Sequence, residues 1–317
     1  MSSRYLEADA QSLNRRCSSL FKLYRVLGGQ KMARIRTSLV RTIDDYQLKV
    51  DCYEPFVRDR IEHILIINSG AGIPQTFYEA FATWVADHGF SVFTYDYRGI
   101  GGSRGASLKG LRASIEDWGS KDCAAVISHA RSLYGAAKLY VLGHSIGSVV
   151  TGFVSHAPKI ERMLMLSPHT GYFGDYARER KWRMFTMWHI FMPILSRAVG
   201  YFPGRRFGLP EDLPYAVAME WGGRRSIRSL RSDGDVGEFA RIVTRALVLR
   251  PADDPFATKS AYDRIRARFS NVYFIDRNLY ANHYIGHFDF FRRHYRESLW
   301  VIALQWLALG EITLNGG

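Results

Sequence analysis

From Ser38 onward, short β-rich runs alternate with longer helical patterns, and this alternation constrains the fold more than any other feature of the sequence. It is typical of βαβ units, in which mostly parallel strands form one sheet and helices cover both of its faces. The first two runs, separated by Asp44 and Asp45, are predicted to form an antiparallel hairpin at one sheet edge. The predicted strands span residues 39–43, 46–52, 63–68, 91–95, 139–142, 162–166, 246–249 and 272–275.

The same pattern divides the chain into a core and two additions. Between residues 168 and 243 the alternation stops, and aromatic, Met and Arg residues broken by prolines predict a mostly helical insertion over one end of the sheet. The α/β core is therefore predicted to span 37–167 and 244–317. Residues 1–36 are predicted to form a basic helical extension that packs on the core or contacts a membrane or a partner. Core helices are predicted over residues 75–88, 111–134, 146–156, 257–268 and 288–309.

Composition and charge exclude several classes of protein. With 47% hydrophobic and 23% charged residues, the chain can bury a large core and is not a disordered protein. Cys17, Cys52 and Cys123 form no Cys-x-x-Cys pair and are predicted to be free thiols. No apolar run reaches the roughly 18 residues of a membrane helix, and no secretory signal pattern is present, so we expect a cytoplasmic protein.

The formal net charge of +13 makes anionic partners worth testing. The basic residues are scattered over the chain, however, and no RNA- or DNA-binding signature accompanies them. We therefore expect no nucleic-acid partner.

The strongest local signal is Gly143-His144-Ser145-Ile146-Gly147. It follows the apolar run at 139–142 and opens a helical pattern. Glycines on both sides of a serine permit a strained strand-to-helix turn, which lifts the hydroxyl out of the sheet and places it at a helix N-terminus. This context predicts that Ser145 is a nucleophile.

With this motif, the chain from about residue 38 to 309 resembles the α/β-hydrolase superfamily. The turn Asp96-Tyr97-Arg98-Gly99-Ile100-Gly101-Gly102-Ser103 after the fourth predicted strand is also similar to a turn of that family. The resemblance implies an α/β-hydrolase fold: a mostly parallel eight-stranded sheet flanked by helices, with a helical cap insertion. It further implies an oxyanion loop within residues 68–75, where the backbone amides of Ala71 or Gly70, together with that of Ile146, would approach a developing negative charge.

In this family the nucleophile is followed along the chain by an acid and then by a histidine. Asp253 and Asp254 both follow the seventh predicted strand. Asp254 matches the family pattern better and is the predicted acid. Asp253 remains an alternative, and would otherwise cap the turn or the next helix. The resemblance makes His287, between Gly286 and Phe288, the predicted base.

Other histidines receive other interpretations. His283 competes with His287, and the i, i+4 spacing of the two is compatible with metal ligands. No His-Glu-x-x-His motif or further ligand cluster accompanies them, so we predict neither a metal nor a cofactor. His144 is predicted to pack near the site, while His169 and His189 are taken as structural or lid residues.

The insertion carries the residues predicted to bind substrate: Trp182, Phe185, Trp188 and Phe191. Such apolar, adaptable side chains suggest an acyl or aryl pocket, although the same stripe could simply attach the insertion to the core. A second basic cluster, Arg224, Arg225, Arg228 and Arg231, could attract anionic substrates or form a solvated face.

Together these features predict a serine hydrolase that cleaves a small carboxylic ester or acyl substrate through a covalent acyl-enzyme. A thioesterase, an amidase or peptidase, and an acyltransferase would use the same residues. A non-catalytic binding protein on the same fold is the third class. The sequence pattern leaves the oligomeric state open, and peripheral membrane contact through residues 1–36 is one reading of that extension.

Overall fold

The computed structural model describes residues 33–56, 61–155, 158–222 and 237–312. The predicted N-terminal extension lies outside the described residues up to residue 32, as does the predicted basic cluster of Arg224, Arg225, Arg228 and Arg231. The first strand begins at Arg34, so residues 34–36 of the predicted extension belong to the sheet. Within these ranges, no helix is both long enough and apolar enough to cross a membrane.

The strands of the described chain are β1 (Arg34–Arg41), β2 (Gln47–Glu54), β3 (His63–Asn68), β4 (Ser91–Tyr95), β5 (Lys138–His144), β6 (Arg162–Leu166), β7 (Tyr201–Phe202), β8 (Leu213–Pro214), β9 (Thr244–Pro251) and β10 (Val272–Leu279). One eight-stranded sheet has the order β1-β2-β4-β3-β5-β6-β9-β10. β2 is antiparallel to β1 and β4, and the remaining pairings in this sheet are parallel. The predicted mostly parallel sheet with an edge hairpin is therefore confirmed.

The helices are α1 (Glu79–Asp87), α2 (Ile115–Asp117), α3 (Ala124–Tyr134), α4 (Gly147–Val150), α5 (Arg178–Thr186), α6 (Met192–Val199), α7 (Tyr215–Trp221), α8 (Gly237–Arg241), α9 (Lys259–Arg266) and α10 (Leu299–Leu309). π-helical turns at Trp118–Cys123 and Met187–Phe191 join α2 to α3 and α5 to α6. The helix predicted over 288–309 is shorter than expected, because two 3₁₀ turns precede α10.

Apolar side chains form a hydrophobic core on each face of the sheet. In β3, Ile64 and Ile66 point into one core and Leu65 and Ile67 into the other, and all four are fully buried. The first core is covered by α3, α4 and α9, and the second by α1 and α10. A strand buried on both faces cannot slip in register without exposing apolar surface, so the carboxyl ends of the central strands are fixed in position.

The described part of the predicted insertion is mainly helical, containing α5, α6 and α7 beside the short β7–β8 pair. A hydrogen bond and an ion pair connect its first residues to the core segment that follows β9. The Ala177 amide donates to the Pro255 carbonyl at 2.8 Å, and Arg264 of α9 forms a two-point ion pair with Asp175. A role of this segment as a lid stays a prediction.

Candidate active site

Ser145 stands on a strained turn immediately after β5. Its φ is +57°, in the left-handed region that side chains other than glycine rarely adopt, and its amide donates to the Leu166 carbonyl of β6 at 2.9 Å. A Cβ at Gly147 would lie 2.2 Å from the Asn68 carbonyl oxygen, and one at Gly143 would lie 2.4 Å from the Ser148 Cα. Both glycines of the motif are therefore required by the close approach of neighbouring backbone.

Asp254 and His287 form a buried pair. Asp254 follows β9, and its Oδ2 lies 2.7 Å from Nδ1 of His287. Its Oδ1 accepts the amides of Phe256 and Ala257. Burial alone would raise the pKa of Asp254, but attraction to His287 and these hydrogen bonds hold that pKa well below its ordinary value of 3.8. A charged Asp254 favours the His287 tautomer that carries its proton on Nδ1.

Asp253 holds the backbone of the histidine loop instead of the histidine ring. Its two carboxylate oxygens accept the amides of Ile285 and Gly286, at 2.8 and 2.9 Å. Gly286 has a φ of +50°, which lets the chain turn directly before His287. Of the two sequence candidates, Asp254 is thus the one paired with His287, and Asp253 caps neither its own turn nor the next helix.

Ser145 hydrogen-bonds to His169, for which the sequence predicts only a structural or lid role. Its Oγ lies 2.9 Å from Nε2 of His169, a buried residue three positions after the end of β6. Among the described residues, the side chains of Ser145 and His287 do not hydrogen-bond to each other. His287 is nevertheless close by, with its ring centroid 5.0 Å from that of His169. The signal that could have revealed His169 is its place beyond the carboxyl end of the strand beside β5.

His144 packs beside the site, as the sequence suggested, and fixes the loop of His287. Its Nε2 lies 2.8 Å from the His287 carbonyl oxygen, which can only accept, so this nitrogen carries the proton. Nδ1 then accepts from the Tyr78 hydroxyl at 2.8 Å. Burial, reinforced by repulsion from His287, lowers the pKa of His144 to about 3, so the ring is neutral at pH 7.

The Gly70 amide is already engaged. It donates to the Tyr78 hydroxyl at 3.0 Å, although Gly70 lies close to Ser145: a Cβ placed on it would be 3.3 Å from the Ser145 Cβ. The amides of Ala71 and Ile146 have no hydrogen-bond acceptor among the described residues. Of the predicted oxyanion donors, these two remain available.

The four predicted substrate-binding residues fall into two groups. Trp182 and Phe191 are 71% and 51% exposed. Phe185 packs on Phe173, with ring centroids 4.8 Å apart. Trp188 stands 6.3 Å from the ring of Trp221, which in turn lies 5.4 Å from His169. Of these four residues, only Trp188 is connected by ring contacts within the described residues to His169, the hydrogen-bond partner of Ser145.

The remaining predictions concern histidines and thiols. His283 is exposed, and His189 lies in the insertion with Nδ1 3.0 Å from the Gly222 carbonyl oxygen. Despite the convergence of His144, His169 and His287, the described residues contain no group of three or more side chains arranged to hold a metal ion. Cys52 and Cys123 are buried free thiols, whereas Cys17 lies outside the described residues.

Comparison with known proteins agrees with this architecture. A family model described as "Serine aminopeptidase, S33", a hydrolase family, matches residues 59–201. A search of curated proteins finds no match.

Similar solved structures include three hydrolases, and at these identities the likeness concerns the fold. An esterase from Pyrococcus furiosus has 14% identity and a TM-score of 0.53, covering 87% of this chain and 94% of its own. An esterase from Exiguobacterium antarcticum has 12% identity and a TM-score of 0.56, and the match covers 86% of this chain and 99% of that protein. A hydrolase from Pseudomonas aeruginosa has 17% identity and a TM-score of 0.52, and the match covers 85% of this chain and 98% of that protein. The sheet order, the strained turn after β5 and these similarities together show that the chain has the α/β-hydrolase fold.

Proposed function

We propose that this chain is a serine hydrolase that cleaves carboxylic esters of small acyl substrates through a Ser145-His287-Asp254 triad. The observation that carries the proposal is the strained Ser145 turn at the end of β5, with a buried Asp254–His287 pair contributed by the loops after β9 and β10. A serine hydroxyl needs a neighbouring base, and that base needs a carboxylate to hold its tautomer and orientation.

Acylation begins when Ser145 Oγ attacks the substrate carbonyl carbon. His287 Nε2 takes the hydroxyl proton as the Oγ–C bond forms, and the carbonyl π electrons move onto its oxygen. The resulting oxyanion accepts hydrogen bonds from the amides of Ala71 and Ile146, which have no acceptor among the described residues. The intermediate collapses as the bond to the leaving oxygen breaks, and that oxygen takes the proton from His287.

Deacylation repeats these steps with water as the nucleophile. His287 removes a proton from the water as its oxygen bonds to the acyl carbon. The second intermediate collapses with cleavage of the Oγ–C bond, the electron pair returns to Oγ, and His287 reprotonates it. The cycle consumes one water, regenerates Ser145 and needs no metal or cofactor.

Apolar rings favour an acyl or aryl group as the part of the substrate that binds. Trp221, Tyr176 and Phe256 pack around His169 beside the nucleophile, and Trp188 continues this cluster into the insertion. Two of the structurally similar proteins are esterases. Amide cleavage is the second candidate, because the matching family model is described as a serine aminopeptidase.

The first test is covalent labelling of the purified protein with a fluorophosphonate. Ser145 Oγ displaces fluoride from phosphorus, so labelling reports an activated serine without a known substrate. We expect wild type to react and Ser145→Ala and His287→Ala to lose labelling, with turnover of any ester reduced by at least about 10⁴-fold.

His283→Ala is the matched control, since it removes an exposed histidine four positions before His287. This variant should label like wild type. A folded wild-type protein that resists the probe would contradict the proposal. A panel of ester, thioester and amide substrates with matched acyl groups then separates esterase from amidase activity.

A further inference from the structure

His169 is buried against Ser145, the proposed nucleophile. The residue is 4% exposed, and its ring lies 5.4 Å from that of Trp221 and 5.8 Å from that of Tyr176. Ser167, two residues earlier, has a φ of +50° at the carboxyl end of β6. A left-handed non-glycine residue is strained, and such strain is retained where the surrounding structure uses it. Here the turn carries His169 from β6 onto the Oγ of Ser145.

The hydrogen bonds of the ring determine where its proton lies. The Gly171 amide lies 3.1 Å from His169 Nδ1, and a backbone N–H can only donate, so Nδ1 contributes a lone pair. In a neutral imidazole the proton is then on Nε2, the atom 2.9 Å from Ser145 Oγ. Burial and repulsion from His287 keep the pKa of His169 far below 6.5, which agrees with a neutral ring. His169 therefore donates to Oγ.

We propose that His169 is a further catalytic residue, whose Nε2–H donates a hydrogen bond to Ser145 Oγ and stabilises negative charge on that atom while the Oγ–acyl bond forms and breaks. This inference rests on the proposed serine hydrolase function. His169 keeps its proton throughout, so it is not a second base. Because it uses a lone pair of Oγ, the hydroxyl proton stays free for transfer to His287.

The size of the effect follows from the change in charge on Oγ. A hydrogen bond to a charged acceptor is about twice as strong as one to a neutral acceptor, so the donor favours the transition state over the resting hydroxyl. Loss of the donor should slow bond formation to Oγ roughly tenfold. Loss of His287 is expected to cost far more, since no other group accepts the proton.

The kinetic test compares the second-order rate of fluorophosphonate labelling among variants with wild-type thermal stability. His169→Phe fills the ring volume without a donor, and we expect a rate about tenfold below wild type. His169→Gln places an amide N–H near the former Nε2, and should recover most of that loss. His283→Phe makes the same change at an exposed histidine outside the proposed site, and should react like wild type.

A second measurement reads the tautomer directly. Imidazole ¹⁵N shifts distinguish protonated from unprotonated ring nitrogens, and the resonances of His169 are assigned by their loss in His169→Gln. We expect a protonated Nε2 and an unprotonated Nδ1 near pH 7. In Ser145→Ala, the Nε2 resonance should move because its acceptor is gone, whereas the Nδ1 resonance should change little.

The outcomes separate this inference from the proposed function. A reactive wild type with an equally fast or faster His169→Phe variant overturns the role of His169 alone. A proton found on Nδ1 does the same, whatever the rates. An unreactive, folded wild type overturns the proposed function and, with it, any catalytic role for His169.

Discussion

At the scale of single residues, the site depends on two strained serines at the ends of adjacent strands. Ser145 after β5 and Ser167 after β6 both have positive φ, and the chain after each carries a group to the same point. One turn presents Ser145, the proposed nucleophile, and the other brings His169 within hydrogen-bonding distance of its Oγ. Strain of about 1–2 kcal/mol at each position is tolerated because the buried sheet holds both strands in place.

The two neighbouring aspartates should respond differently to the same substitution. Asp254→Asn replaces the carboxylate that orients His287 with an amide, and we expect kcat to fall about 10⁴-fold while stability changes little. Asp253→Asn keeps one acceptor for the amides of Ile285 and Gly286 but turns an NH₂ group toward the other, which displaces the histidine loop. We expect a loss of roughly tenfold in kcat, together with lower thermal stability. Esterase kinetics and thermal unfolding on both variants check this.

An equal or larger loss of kcat in Asp253→Asn would mean that the roles of the two carboxylates are reversed. Asp289→Asn serves as a control, because it removes a carboxylate two residues after His287 that has no hydrogen bond to this pair. Its activity and stability should match those of wild type.

Local sequence was sufficient for some of these residues and insufficient for others. Ser145 is predicted by its own short motif after a strand, whereas the family resemblance predicts Asp254 and His287, which form a hydrogen-bonded pair in the structure. His169 has no such pattern, because its position depends on the strain at Ser167 and on β6 lying beside β5. The hydrogen bond from the Gly70 amide to the Tyr78 hydroxyl could not be predicted from local sequence either, because it depends on the packing of α1 and the turn before it.

At the scale of elements, α7 carries a half-buried carboxyl, Glu220, that links the predicted insertion to the core. Glu220 accepts the Ile115 amide of α2 at 2.9 Å. Burial, with smaller contributions from Asp117 and Glu116, raises the pKa of Glu220 from 4.5 to about 7. The folded protein therefore binds this proton more tightly than the unfolded chain.

Stability should fall as pH rises through this range. Below pH 4.5 Glu220 is protonated in both states, whereas above about 7 it is charged in both and the folded state bears the cost of burying the charge. Glu220→Gln keeps an acceptor for Ile115 and removes the charge. We expect it to be more stable than wild type at pH 8, by on the order of 2 kcal/mol, and close to wild type at pH 4.5.

Urea unfolding at the two pH values measures this difference. Glu179→Gln, an exposed site on α5, is the matched control and should show no pH-dependent gain. A Glu220→Gln variant that is equally or less stable than wild type at pH 8 would argue that the charged carboxylate is well solvated in the folded state.

Element types were more predictable than element ends. The central strands were predicted to within a few residues, because a strand buried on both faces has a continuous apolar run. The C-terminal helix was predicted to begin at Phe288, but α10 begins at Leu299. Apolar spacing cannot separate an α-helix from 3₁₀ turns, and here the buried Phe290 and Phe291 lie in such a turn, with the Phe290 carbonyl accepting from the Trp300 indole.

At the scale of the whole molecule, repulsion from a net charge of +13 destabilises the fold, whereas internal ion pairs stabilise it. Arg98 is almost fully buried between Asp122 and Asp44, at 2.7 and 2.8 Å, and Arg250 pairs with Asp276 at 2.8 Å. Salt weakens both the repulsion among exposed charges and the attraction within pairs, but buried pairs are screened much less. Whether salt raises or lowers stability therefore depends on how much of the charge is exposed.

We expect repulsion to dominate near pH 7, so that salt stabilises the fold. Raising NaCl from about 20 to 300 mM shortens the screening length from roughly 20 Å to below 8 Å, which weakens repulsion between like charges across the surface. A gain of about 1 kcal/mol would raise the midpoint of thermal unfolding by roughly 2–4 °C. Near the isoelectric point, at a pI of about 9.7, the net charge vanishes and the same salt step should give little or no rise. Calorimetric scans at both pH values decide the matter, and a fall in midpoint with salt near pH 7 would mean that the ion pairs outweigh the net charge.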